Sequence, residues 1–146
     1  MKKIKNKGGF TLIEILVVIA IIAILATIVI VSINPAKRFR DANNAQRQAN
    51  INAILNAIGQ NIVDNKGKFT KNADCDTEVG NIEDTYKTIG AALGEINLQI
   101  CLVDYLATIP VDPQDNSGYE IKIGAAVGSY AIKAPKAEGM LIEVTR

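Results

Sequence analysis

From Ile15 to Ile33 the chain runs for 19 residues without a charge, and Thr27 and Ser32 are its only polar side chains. As an α-helix rising about 1.5 Å per residue, this run is ~28 Å long, close to the ~30 Å hydrocarbon core of a bilayer. The whole chain has 146 residues, enough for one domain and an appendage. A core helix in so small a domain shows a polar face, whereas this one is apolar all round. The segment therefore reads as membrane-spanning. An ordinary secretory signal fits less well. The run exceeds the usual apolar region of ~7–15 residues, and no A-x-A site closes it. A carboxylate, Glu14, also stands at its entrance.

The net charge of +1 conceals a strong segregation. Residues 1–9 hold four lysines, Lys2, Lys3, Lys5 and Lys7. Residues 35–63 carry Lys37, Arg38, Arg40 and Arg47 against Asp41 alone, and residues 64–146 carry 8 basic and 13 acidic side chains. The pattern is a basic tip, an apolar span, a basic stem and an acidic head. Bases flank the span on both sides, so the positive-inside comparison is nearly balanced. Two cysteines, Cys75 and Cys101, lie in the head. If they are bonded, the head occupies an oxidising compartment; the other reading is two buried thiols. The expected topology puts the N-terminus in the cytoplasm and the head outside it.

The chain has no His and no Trp, which removes the commonest general base and metal ligand. Asp74 and Asp76 flank Cys75 as solvated carboxylates, and no catalytic residue is expected. Nucleic-acid binding calls for cationic surface and aromatic platforms, and a net acidic head without Trp offers neither.

The lysine-rich leader followed by Gly9-Phe10-Thr11-Leu12-Ile13-Glu14 and an unbroken apolar run resembles the N-terminus of type IV pilins and type II secretion pseudopilins. The resemblance is close over residues 5–35. It implies that a prepilin peptidase cuts between Gly9 and Phe10 on the cytoplasmic side and that the new amine of Phe10 is methylated. It also implies that the helix stays in the inner membrane until an assembly platform and its ATPase pack the subunit into a helical filament with its own copies and other pilins or pseudopilins. The residue types suit such a cut. Paired glycines give an extended, side-chain-free segment, and the lysines hold the leader at the anionic lipid surface. Glu14 lies four residues after Phe10, on the same helix face. A carboxylate in hydrocarbon is costly and generally functional, and the family places it against the amine of a neighbouring subunit. The implied function is a pseudopilin of a type II secretion system; the alternative is a major or minor type IV pilin in adhesion, motility or DNA uptake. Either is a single-pass membrane protein first and a periplasmic or extracellular filament subunit later.

The sequence then divides into leader 1–9, assembly helix 10–34, amphipathic stem helix 35–66 and head 67–146, a pilin-like α+β arrangement. Pro35 disfavours helix at Asn34 and predicts a kink or unwound stretch near residues 31–36. Lys37, Arg38 and Arg40 are placed to meet lipid headgroups, acidic heads of neighbours, or solvent alone. Ala42, Ala45, Ala49, Ile51, Ile54, Leu55, Ile58 and Ile62 predict one apolar stripe against the head, and Gly67 predicts the stop. Alternation over 119–145 predicts a three-stranded antiparallel sheet packed on the stem, and 84–94 and 101–107 are expected to hold short helices. A Cys75–Cys101 bond would close a loop of about 26 residues, worth ~3 kcal/mol in the chain-entropy model. The segment from Tyr105 to Pro113 resembles the region before the sheet in pseudopilins, some of which bind calcium nearby. Asp112, Asp115, Asn116 and Ser117 supply oxygens for such an ion, although the same composition makes turns. No other cofactor is expected.

Overall fold

The computed structural model describes residues 9–124 and 128–146. The leader lysines, Gly8 and residues 125–127 lie outside the described residues. The chain divides into two units, Met1–Phe39 and Arg40–Arg146.

In the first unit, helix α1 spans Leu12–Ile33 and every side chain on it is exposed. Its lone interior hydroxyl groups need internal acceptors in lipid; Thr27 Oγ1 donates to the Ala23 carbonyl at 2.9 Å. The helix ends at Asn34, which adopts the left-handed conformation (φ 45°, ψ 74°). Helix α2 begins at the next residue and spans Pro35–Asp64. Proline fits a first helical position because its missing N–H is one that has no intrahelical acceptor there. Asn34 Oδ1 accepts the Lys37 N–H at 3.3 Å, so one residue closes α1 and caps α2. The break near Pro35 is thus a single residue.

In the second unit, α2 supplies one wall of the core. Its buried residues, Asn44, Arg47, Ile51, Ile54, Leu55, Ala57, Ile58 and Asn61, recur at intervals of three and four, the period of one helix face. The alanines Ala42, Ala45 and Ala49, expected on that face, are exposed. The helix terminates through Lys66 and Gly67, both at positive φ, with Gly67 N–H returning to the Ile62 carbonyl at 2.8 Å. Helix α3, Ala73–Gly80, is capped by Asn72, whose side chain accepts the Cys75 N–H at 2.8 Å. Strand β1 is only Lys87–Thr88, and α4 is one turn, Gln99–Leu102. The helix expected over 84–94 is absent, and the one expected over 101–107 is this earlier turn. Strands β2, Glu120–Ile123, β3, Tyr130–Lys133, and β4, Glu143–Thr145, complete an antiparallel sheet of order β1-β2-β3-β4. The sheet therefore has four strands, not three.

The register explains the core. Ile121 pairs with Ile132, and Ile132 with Val144, so these side chains share one face. They join Ile51, Ile54 and Ile58 of α2, with Phe69, Leu98, Leu102 and Tyr119, in one apolar cluster. The opposite face carries Glu120, Lys122, Lys133 and Glu143, with Lys133 bound to Glu120 at 2.8 Å. The Tyr86 ring lies 4.4 Å from Lys122 Nζ and 4.0 Å from Lys133 Nζ, within cation–π range. Gly118 is required by close approach. A Cβ there would stand 2.0 Å from the Ile89 carbonyl oxygen.

Candidate processing and assembly site

Gly9 and Phe10 precede α1 in non-helical backbone, and both are exposed. A Cβ added to Gly9 would meet nothing within 4 Å, and its φ lies outside the left-handed region. Nothing among the described residues therefore demands glycine at this position. A requirement for it must come from something that grips the backbone from outside, as a protease cleft does.

Thr11 is the N-cap of α1, in extended conformation (φ −81°, ψ 152°). Glu14 Oε2 accepts both the Thr11 N–H at 2.8 Å and the Thr11 hydroxyl at 2.9 Å, while the Glu14 N–H donates to Thr11 Oγ1 at 3.3 Å. This is a complete capping box. A helix start leaves its first N–H groups without intrahelical acceptors, and the box satisfies two of them reciprocally. The Thr-x-x-Glu spacing announces this arrangement in the sequence, beside the intermolecular partner that the family resemblance implies for Glu14. The two functions are compatible. Both Thr11 contacts use Oε2, and Oε1 makes no hydrogen bond among the described residues.

In the second unit, Cys75 of α3 and Cys101 of α4 form a disulfide, with Cα atoms 5.1 Å apart and both residues fully buried. It pins the two short helices of the head together. The loop after α4 is organised by Gln99, whose Oε1 accepts the Ile109 N–H at 2.8 Å while its amide donates to the Leu106 and Ala107 carbonyls.

In the segment expected to offer calcium ligands, Asp112 is paired within the head. Asp112 is 1% exposed and takes a two-pronged contact from Arg47, itself 0% exposed. Arg47 Nε donates to Oδ2 at 2.6 Å and Nη2 to Oδ1 at 2.9 Å. Two further guanidinium N–H groups reach Gln114 Oε1 at 3.0 Å and Asn44 Oδ1 at 2.9 Å. Asn44 in turn donates to the Glu138 carbonyl at 2.9 Å. The Arg47 guanidinium holds the Asp112 carboxyl below the usual carboxylate range, with the Gln114 N–H assisting, and the pair raises Arg47 further above its own ordinary value. A divalent cation at Asp112 would have to share that carboxylate with a buried guanidinium, at a Coulombic cost. Asp115 accepts the Ser117 N–H at 3.0 Å, and Asn116 sits at φ 58°; together they form an ordinary turn. Among the described residues no group of three acidic, cysteine or histidine side chains is placed to hold a metal. In the sequence Arg47 counts only as one of the stem charges, although the phase of Ile51, Ile54 and Ile58 points back to it as a buried residue.

Residues 4–30 match the family model described as the prokaryotic N-terminal methylation motif. Comparison with curated proteins and with solved structures gave no match. The motif covers the Gly9–Phe10 junction, the Thr11–Glu14 cap and most of the one described helix long and apolar enough to cross a membrane. Residues 4–30 thus carry the N-terminal methylation motif, the prepilin leader found in type IV pilins and pseudopilins.

Proposed function

We propose that this protein is a structural subunit of a type IV pilus-like filament, in its pseudopilin form, acting in type II secretion. The observation that carries the reading is the junction itself. A glycine the fold does not need is followed by Phe10 and by a helix that is apolar on every side. Hydrolysis of the Gly9–Phe10 bond by a prepilin peptidase frees the Phe10 amine, which is then methylated, and the helix is retained. The small head, with strands of two to four residues, and the Ile109-Pro110-Val111-Asp112-Pro113 segment favour a pseudopilin over a pilus pilin.

Assembly then follows from the chemistry of the helix start. Helix α1 exposes its whole apolar surface, which suits lipid before assembly and the packed centre of a filament after it. Glu14 keeps Oε2 on its own Thr11 and presents Oε1 to the Phe10 amine of the next subunit. In a low-dielectric filament core either charge left alone is heavily penalised, so the contact sets the stagger between subunits. An assembly platform, its ATPase and companion pseudopilins complete the system. The test is a Glu14→Ala variant expressed beside its peptidase. It should be cleaved normally and remain in the membrane, with filament yield reduced at least tenfold. Wild-type filament yield would refute the pairing.

A further inference from the structure

Helix α1 has 22 residues and so is ~33 Å long, slightly more than the ~30 Å hydrocarbon layer. After Ile33 come the single left-handed residue Asn34 and then the first turns of α2. Lys37, Arg38, Phe39 and Arg40 follow four to seven residues past Ile33. At the helical rise of ~1.5 Å per residue that is ~6–10 Å along the chain from the end of the span. The polar headgroup zone extends ~5–8 Å beyond the hydrocarbon on each side. With α1 seated in the bilayer, that distance is comparable to the depth of the headgroup zone, and the long Lys and Arg side chains can reach back to lipid phosphates.

Their state in the chain fits that setting. Lys37, Arg38 and Arg40 are exposed, and the ion pairs of the described residues use other bases, namely Arg47, Lys71, Lys87, Lys122, Lys133 and Lys136. The one acid in residues 35–63 is Asp41. Phe39, in the middle of the run, is 71% exposed. An aromatic ring left in water beside three bases is unfavourable in solution but is at home at a membrane–water interface. Lysine and arginine stems likewise lie along acyl chains while their charges reach phosphate. An acidic neighbour in a filament could neutralise the same bases. That contact requires assembly and a fixed register, whereas the lipid contact is imposed as soon as α1 is in the membrane.

We propose that Lys37, Arg38 and Arg40, with Phe39, form an interfacial collar that binds anionic phospholipid headgroups at the C-terminal end of the span. The collar fixes the depth of the subunit in the bilayer and must release its phosphates when the subunit is withdrawn into a filament. The proposal rests on reading α1 as a membrane span.

The experiment uses the full chain, processed at its leader, in lipid nanodiscs of phosphatidylcholine with and without phosphatidylglycerol. Native mass spectrometry counts the lipids retained on the released protein. Wild-type protein should retain phosphatidylglycerol over phosphatidylcholine. Lys37→Gln, Arg38→Gln and Arg40→Gln should each lower that preference about fivefold, and the triple variant should abolish it. Arg38→Lys with Arg40→Lys should keep it. Excess inorganic phosphate should leave the adducts in place; displacement would identify a free-anion site and overturn the assignment to lipid. Equal adducts on wild type and triple variant would also overturn it, and if that variant failed to form filaments the bases would instead serve a neighbouring subunit. These readouts come from monomers, so they stand apart from the filament test of Glu14→Ala. Loss of the protein from the discs would refute the span itself.

Discussion

Removing the Asp112 carboxylate should be among the most damaging single changes in the head. In Asp112→Ala the Arg47 guanidinium keeps Asn44 and Gln114 but loses the contacts at 2.6 and 2.9 Å, and it is fully buried. Leaving one partner of a buried ion pair uncompensated costs ~3–5 kcal/mol. For a unit of roughly 100 residues each kcal/mol moves the melting temperature by ~4 °C, so the midpoint should fall by ~12–20 °C. The double variant Arg47→Met/Asp112→Leu removes both charges and should recover most of that loss, because a buried pair is seldom more stable than apolar residues of similar volume. The assay is thermal unfolding of the full chain in detergent, followed by near-ultraviolet dichroism of its four tyrosines. Acid adds an independent readout. The folded-state pKa of Asp112 is depressed, so the pair's contribution is complete above the ordinary carboxylate value of ~3.9. It is lost as pH falls from there through the lower folded value. Arg47 stays protonated throughout. Wild type should therefore lose stability below about pH 4, and the double variant should lose less. A shift under ~4 °C for Asp112→Ala, or a double variant no better than the single one, would refute the reasoning.

Other consequences are as direct. Cys75→Ser/Cys101→Ser opens a loop with a sequence separation of 26 and should cost ~3 kcal/mol in denaturant unfolding; because both cysteines are fully buried, reductant without denaturant should leave them inaccessible to alkylation. Gly118→Ala should lower the melting temperature sharply, since its Cβ would fall 2.0 Å from a backbone oxygen that cannot swing aside. Gly9→Val should leave thermal unfolding unchanged, as among the described residues beyond its chain neighbours no atom lies within 4 Å of its Cβ position, while blocking leader cleavage on immunoblots; efficient cleavage of that variant would remove the argument for an external grip.

Those expectations rest on features that differed in how far the sequence disclosed them. Helix α1 was legible because an uninterrupted apolar run has few alternatives, and β2, β3 and β4 because their alternation places Ile121, Ile132 and Val144 on one face. Strand β1 was not, since Lys87–Thr88 is too short to alternate and is held by its partner β2 rather than by its own propensity. The stem was half read. Its phase is right at Ile51, Ile54 and Ile58, but counting alanines as inward displaced the stripe from Asn44 and Arg47 to Ala42, Ala45 and Ala49. Residue type misled where period would not have. The partner of Arg47 lies 65 residues away, and no local signal pairs them. At the helix start the opposite happened: Thr11-x-x-Glu14 is a local signature, and attention to the intermolecular role of Glu14 hid its role within the chain.

The mass of the mature protein tests the central claim most directly. Protein extracted from membranes of cells carrying a prepilin peptidase should begin at Phe10, retain Leu12–Ile33, and carry one methyl group on its α-amine. A mature chain beginning near residue 34, or one that keeps its lysine leader in assembled filaments, would contradict it.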